Sequence, residues 1–183
     1  MRKFNNRIIF SLLFVIFAIF IITSKESLPP EPLYEISYFD FNDQDGDSFT
    51  SNNLKNKISI VDFFFTSCQG PCPAMNRYMN HLVNEFSDYS DIQFISFSVD
   101  PEIDSSSHIK DFLNKSGFNY SNWYFLETEN SSIEKLLEDG FKLSGEGLPG
   151  MHSTKFILID SNAFIRGYYD PFLDEDYKKL EEH

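Results

Sequence analysis

Residues Ile58 to Phe65 form a run with apolar side chains on both faces, broken by Asp62, which is the pattern of a central strand covered on each side. The run leads straight into Thr66-Ser-Cys-Gln-Gly-Pro-Cys-Pro73, which holds the only two cysteines of the 183-residue chain. Behind it, Met75, Met79, Leu82, Val83 and Phe86 fall on one stripe of a helix, with Pro73 suited to its first turn and Asn76, Arg77, Asn80, His81 and Asn84 on the other side. Ile92 to Val99 is a second doubly apolar strand, ended by Asp100-Pro101. A strand, helix and strand of these lengths make a right-handed crossover with parallel strands. Ligands gather beyond the carboxyl ends of such strands, so Cys68, Cys72 and Asp100 are expected to share a rim.

The rest of the chain fits around this unit. Ile36 to Phe41 reads as an edge strand, and Asp43-Gln-Asp-Gly46 as a hairpin turn, since the closing Glu of a calcium loop is missing. Asp104 or Ser105 can cap a helix running through Ile109, Phe112 and Leu113 to a stop at Gly117. Trp123 to Leu126 is a third short strand, and Ser131-x-x-Glu134 is a capping box before a helix that stops at Gly140. A glycine-rich loop, Ser144 to His152, leads into a hairpin of Lys155–Ile159 and Phe164–Tyr169, and Leu173 to Leu180 closes the chain as an amphipathic helix. The alternation gives an α/β fold with a thioredoxin-like central mixed sheet flanked by helices, preceded by an N-terminal β-hairpin extension.

Ahead of this body lie Arg2, Lys3 and Arg7, then fifteen uncharged residues from Ile8 to Ile22, all apolar but Ser11. That is a single N-terminal signal anchor with the body on the non-cytoplasmic side. No small-x-small cleavage site follows it, and no cysteine is available there for lipid attachment. The expected division is an anchor over residues 1–24, an extended Pro29-Pro30-x-Pro32 spacer over 25–35 and one domain over 36–183. Residues 1–30 carry a net +3, which leaves −16 on the remainder of a chain whose total is −13. A body so acidic has no electrostatic footprint for nucleic acid.

Two cysteines four positions apart close too short a loop to be a useful staple. The chain-entropy gain is far below the ~3 kcal/mol of a fifteen-residue loop. Chemistry is the better reason for the pair. A thiolate at a helix N-terminus is stabilised by the amide dipoles, which predicts a lowered pKa at Cys72. Two thiolates are soft ligands that select Cu(I), zinc or iron–sulfur clusters. The cysteine count excludes a cluster, and the absence of C-x-x-C-H excludes c-type haem. His81 and His108 sit at polar helix positions and His183 is the last residue, so His152, just before a strand, is the candidate third donor. Cys68, Cys72 and His152 would suit three-coordinate Cu(I), with a further oxygen donor for Cu(II). Zinc would need a fourth ligand, which Asp100 could supply.

Three segments resemble the Sco/SenC family of copper chaperones. Phe63 to Pro73 is similar to its F-T-x-C-x-x-x-C-P signature, Ser98 to Asp104 to its S-V-D-P-x-x-D segment, and His152-Ser153-Thr154 to its late H-S motif. The resemblance runs from about Ile36 to Tyr169 and implies a membrane-tethered protein of the bacterial inner membrane, with its domain on the periplasmic side. It implies copper held by Cys68, Cys72 and His152, with Asp100 and Asp104 as secondary positions. The implied task is delivery to the copper-accepting subunit of cytochrome c oxidase, with another envelope copper chaperone as a second partner. The alternative is a thiol-disulfide oxidoreductase that cycles a Cys68–Cys72 disulfide to reduce an acceptor's cysteines. A peroxide-reducing relative or an inert disulfide-bearing domain is the third reading.

Overall fold

The computed structural model describes residues 29–118 and 120–183. The expected anchor, and the first residues of the spacer, lie outside the described residues. Residues 30–182 form one packed unit.

Its centre is a six-stranded mixed sheet. Strands β4 (Ile58–Phe64), β5 (Ile92–Ser98) and β6 (Trp123–Leu126) run parallel, in the register Ile58↔Ile92 and Phe94↔Trp123. On the other side of β4, β7 (Phe156–Ile159) is antiparallel and leads through a hairpin to β8 (Phe164–Tyr169). The edge strand β1 is only Tyr34–Glu35, paired with β8, so the sheet starts inside the expected spacer. The segment expected as one strand over 36–41 instead divides. Ile36 and Phe39 are buried in the core, and β2 (Asp40–Asn42) pairs with β3 (Ser48–Thr50) in a separate two-stranded hairpin. The hairpin turn is self-satisfied: Asp43 Oδ1 accepts the backbone N–H groups of Asp45 and Asp47, and Gly46 takes φ +86°.

Helix α1 (Cys72–Glu85), α2 (Ser106–Ser116) and α4 (Asp174–Glu182) cover one face of the sheet. Met75, Met79, Leu82 and Val83 pack there on Ile60, Phe64, Phe94 and Phe156. The β2–β3 hairpin and α3 (Asn130–Lys135), extended by a wider turn over Leu136–Gly140, cover the other face around Val61, Phe63, Ile95 and Phe97. Period-two alternation sends Phe63 and Phe64 to opposite cores, and both are essentially inaccessible to solvent. Edge-on ring contacts seal the hairpin side: Phe63 to Phe141 at 5.1 Å and Phe39 to Phe97 at 5.2 Å. β4 is therefore clamped along its whole length, which fixes the point at which the cysteine segment leaves the sheet.

Two local expectations change. Ser131 does not cap α3: the helix begins at Asn130 after Glu129, with no side-chain cap. Asn76, expected on the polar side of α1, is 5% exposed and faces inward. Ser105, by contrast, caps α2 through its hydroxyl, and Gly117 ends it at φ +76°. Among the described residues no helix is long and apolar enough to cross a membrane.

Candidate metal centre

The segment Thr66–Pro71 leaves β4 without regular secondary structure and delivers Cys72 as the first residue of α1. The two cysteines consequently differ in environment. Cys68 is half-buried on the loop, whereas Cys72 is 3% exposed and held by the helix behind it. Both thiols are free. They line a groove of about 270 Å³ together with Phe65, Pro73, Asn76, Phe112 and Phe118.

The Cys72 thiol is not activated in the way the helix position predicts. Burial pushes its pKa well above the ordinary thiol value, and the neighbouring Cys68 thiol adds to this, while a hydrogen bond with the Phe65 backbone only partly opposes it. Desolvation of the charged sulfur outweighs the amide dipoles because α1 starts inside the fold rather than at its surface. Cys72 is a reluctant thiolate.

His152 comes from the loop before β7 and is 9% exposed. Its Nε2 lies 3.7 Å from Cys72 Sγ, across 80 residues of chain. Its other ring nitrogen, Nδ1, is 2.9 Å from the carbonyl oxygen of Ser153. A carbonyl only accepts, so Nδ1 carries the proton and the Nε2 lone pair is directed at the thiol. Burial lowers the His152 pKa and favours that neutral, ligating form. The Phe65 ring stands edge-on to the imidazole at 5.6 Å, which fixes the ring plane. Ligand bonds of ~2.3 Å to sulfur and ~2.0 Å to nitrogen, about 120° apart, would separate the two donors by ~3.7 Å. The Cys72–His152 pair already has that span. Cys68, Cys72 and His152 do not all lie within 4.8 Å of one another, a spacing that His81, Glu85 and Glu181 do meet on the surface. Cys68 already neighbours Cys72, so its sulfur has to move toward His152 to complete a three-coordinate site.

The acidic rim divides in two. Asp104 is fully buried and accepts from the Thr66 backbone N–H, the Thr66 hydroxyl and the Ser98 hydroxyl. Its oxygens are thus committed to neutral donors of the protein. Asp100 is 8% exposed, and burial together with the charges of Asp104 and Glu102 pushes its carboxyl upward. His81 and His108 are exposed, and His81 is occupied with Tyr177, Glu85 and Glu181. Phe65, the aromatic of the F-T-x-C segment, orients the imidazole, and one contributor was not apparent from the residue order: Asn76, which lines the groove with the thiols and whose buried Oδ1 has no hydrogen-bond partner among the described residues. The spacing of Asn76, four residues after Cys72, placed it on the thiol side, but its polarity argued for the opposite face.

Residues 29–180 match the SCO1/SenC family model. The chain belongs to the SCO1/SenC family. Among solved relatives, the SCO1/SenC family lipoprotein of Bacillus anthracis str. Ames is 35% identical, with a TM-score of 0.73 over 82% of this chain and 93% of that one. BsSco, described as a member of the Sco family of cytochrome c oxidase assembly proteins with a disulfide switch, is 31% identical, with a TM-score of 0.71 over 82% and 92% of the two chains. Yeast Sco1, crystallised with copper bound, shares the fold at 23% identity, with a TM-score of 0.65 over 82% and 88%. The Sco thioredoxin-like fold, with its six-stranded mixed sheet and small N-terminal hairpin, is the architecture described above.

Proposed function

We propose that this SCO1/SenC protein binds copper through Cys68, Cys72 and His152 and passes it to the copper-accepting subunit of cytochrome c oxidase, helping to assemble the dinuclear copper centre. The observation that carries the reading is the 3.7 Å approach of a buried thiol to an imidazole nitrogen whose proton is tied up on the far side of the ring. Two sulfurs and one nitrogen make a soft donor set that favours Cu(I). The cargo's own charge displaces the thiol protons, so a reluctant thiolate is no obstacle to loading. Release proceeds by ligand exchange, with acceptor thiolates replacing Cys68 first because it is the more exposed sulfur. Copper-bound yeast Sco1 and the oxidase-assembly role of BsSco's family support the same reading. Cu(II) is accommodated if an oxygen donor joins the three ligands.

The organisation that goes with this function is an anchor over residues 1–24, a spacer over 25–35 whose last two residues join the sheet as β1, and the copper domain over 36–183. It sits on the periplasmic side of a bacterial inner membrane, where another envelope copper chaperone could supply the metal. The lipoprotein relative is consistent with an envelope setting.

A second reading rests on the two free, adjacent thiols and on the disulfide switch of BsSco. On that reading, Cys68 and Cys72 form a disulfide while reducing an acceptor's cystine, and His152 is dispensable. Anaerobic Cu(I) titration of the reduced protein beside Cys68→Ala, Cys72→Ala and His152→Ala separates the two. The copper reading predicts about one Cu(I) per chain, lost without either cysteine and weakened without His152. Thiol exchange that survives His152→Ala, in a protein that retains no copper, would favour the second.

A further inference from the structure

Of the three sulfur and nitrogen donors, two are fixed by packing. Cys72 is the first residue of a long helix and is buried, and His152 is wedged against Phe65. Cys68 sits in an irregular segment, Thr66 to Pro71, without such packing, and because Cys72 and His152 already stand 3.7 Å apart it is the donor that has to close the site. What ties that segment down is a carboxylate. Asp104 Oδ2 accepts the Thr66 N–H at 3.1 Å and the Ser98 hydroxyl at 2.7 Å, and Oδ1 accepts the Thr66 hydroxyl. Ser98 is the last residue of β5, and its hydroxyl oxygen also accepts the Asp100 N–H at 3.1 Å. The Asp104 N–H in turn donates to the Asp100 carbonyl at 2.9 Å, so the carboxylate projects from a hydrogen-bonded turn. It is fully buried and, among the described residues, forms no ion pair. A buried carboxylate without a cation is tolerated only where hydrogen bonds saturate it. Capping does not explain it, because Ser105 already caps α2.

We propose that Asp104 is a positioning residue for copper binding: it fastens Thr66, two residues before Cys68, to the end of β5 and so sets the reach of the Cys68 sulfur toward Cys72 and His152. The inference rests on the copper reading above and deepens it. The segment is held at its base by Asp104, and the Cys68 N–H is turned back onto the Phe65 carbonyl at 3.2 Å, so Cys68 closes on the ion without a search through loop conformations. Partners that orient a ligand indirectly are typically worth about 10- to 100-fold in metal affinity.

Thr66→Val keeps the shape and the backbone N–H but removes one donor to Asp104, while Thr66→Ser keeps all of them. Asp104→Asn replaces one acceptor oxygen by an NH₂ that only donates, so the Thr66 hydroxyl must turn from donor to acceptor and the remaining bonds lose the carboxylate charge that strengthens them. The test measures two quantities on the wild type and these three variants. One is backbone amide hydrogen exchange at position 66 in the copper-free protein, and the other is Cu(I) affinity by competition with a chromophoric chelator. Expected are about 10- to 100-fold weaker Cu(I) binding in Thr66→Val and Asp104→Asn, near-wild-type binding in Thr66→Ser, and accelerated exchange at position 66 in Asp104→Asn. A residue that served stability alone would lower the unfolding midpoint and leave the affinity of the folded variants unchanged. Affinities of Thr66→Val and Asp104→Asn within twofold of wild type overturn the proposal. A wild type that binds no copper overturns the copper reading and, with it, this role of Asp104.

Discussion

Asp62 is the side chain that the core accommodates least well. It is fully buried in β4; one oxygen accepts the Ser96 hydroxyl, and Oδ2 has no hydrogen-bond partner among the described residues. Burial pushes its carboxyl from 3.8 up to about 7 despite the Ser96 bond. Between about pH 4 and pH 7 the folded chain therefore keeps a proton that the unfolded chain has released. Stability falls as pH rises through that window and levels off above it. A displacement of about three units corresponds to roughly 4 kcal/mol as an upper bound. Asp62→Asn should remove this slope and be more stable than wild type at pH 8, with little difference at pH 4, as read by urea unfolding at both values. Parallel pH profiles would contradict that account. Cys72 teaches the complementary lesson. Its place at a helix start was legible in the sequence, but the sign of its pKa shift was not, because the depth of the helix end is set by packing from β4, β7 and α2. Its thiol keeps its proton throughout the neutral range. Copper must therefore displace that proton, and Cu(I) affinity should rise at least about tenfold per pH unit between pH 6 and 8. Burial lowers the His152 pKa, which reduces any further proton displacement at the imidazole, a contribution of the same sign. A pH-independent affinity would mean that Cys72 is not a ligand.

The β4–α1–β5 unit was readable at the scale of elements because its strands are apolar on both faces and its helix has an unbroken stripe. The parallel register and the shared rim followed from that pattern. Where elements are short, tertiary contacts decided instead. β1 is two residues long and exists because β8 offers it an edge. Asn76 is buried where it lines the groove between α1 and α2, and its polarity masked what its spacing from Cys72 implied. The capping box at Ser131 failed because α3 begins two residues earlier than that cap implies, at Asn130 after Glu129. The end of α2 is a cleaner case. Gly117 takes φ +76° with open space where a Cβ would lie, so Gly117→Ala should cost about 1 kcal/mol through backbone strain alone. Met79 is fully buried in the α1 stripe, and Met79→Ala should cost about 2–5 kcal/mol. Chemical denaturation of both variants checks the contrast, and equal losses would refute it.

At the scale of the whole molecule, sequence separation hid one relation that matters most for function. Cys72 and His152 are 80 residues apart, and only the antiparallel return of β7 beside β4 brings them to 3.7 Å. The three family-like segments supplied the partners, and the fold supplies the reason they meet: each lies at the same end of the central strands. The acidic body, carrying −16 outside residues 1–30, remains consistent with a domain that handles cations and avoids nucleic acid. The central claim is a copper site built on two sulfurs and one nitrogen. The most direct measurement is X-ray absorption at the copper edge on the reduced protein loaded anaerobically with Cu(I), wild type beside His152→Ala. Expected are one copper per chain with two sulfur neighbours and one nitrogen neighbour, and loss of the nitrogen in His152→Ala. Copper that fails to bind, or an identical coordination shell in the two proteins, would contradict it.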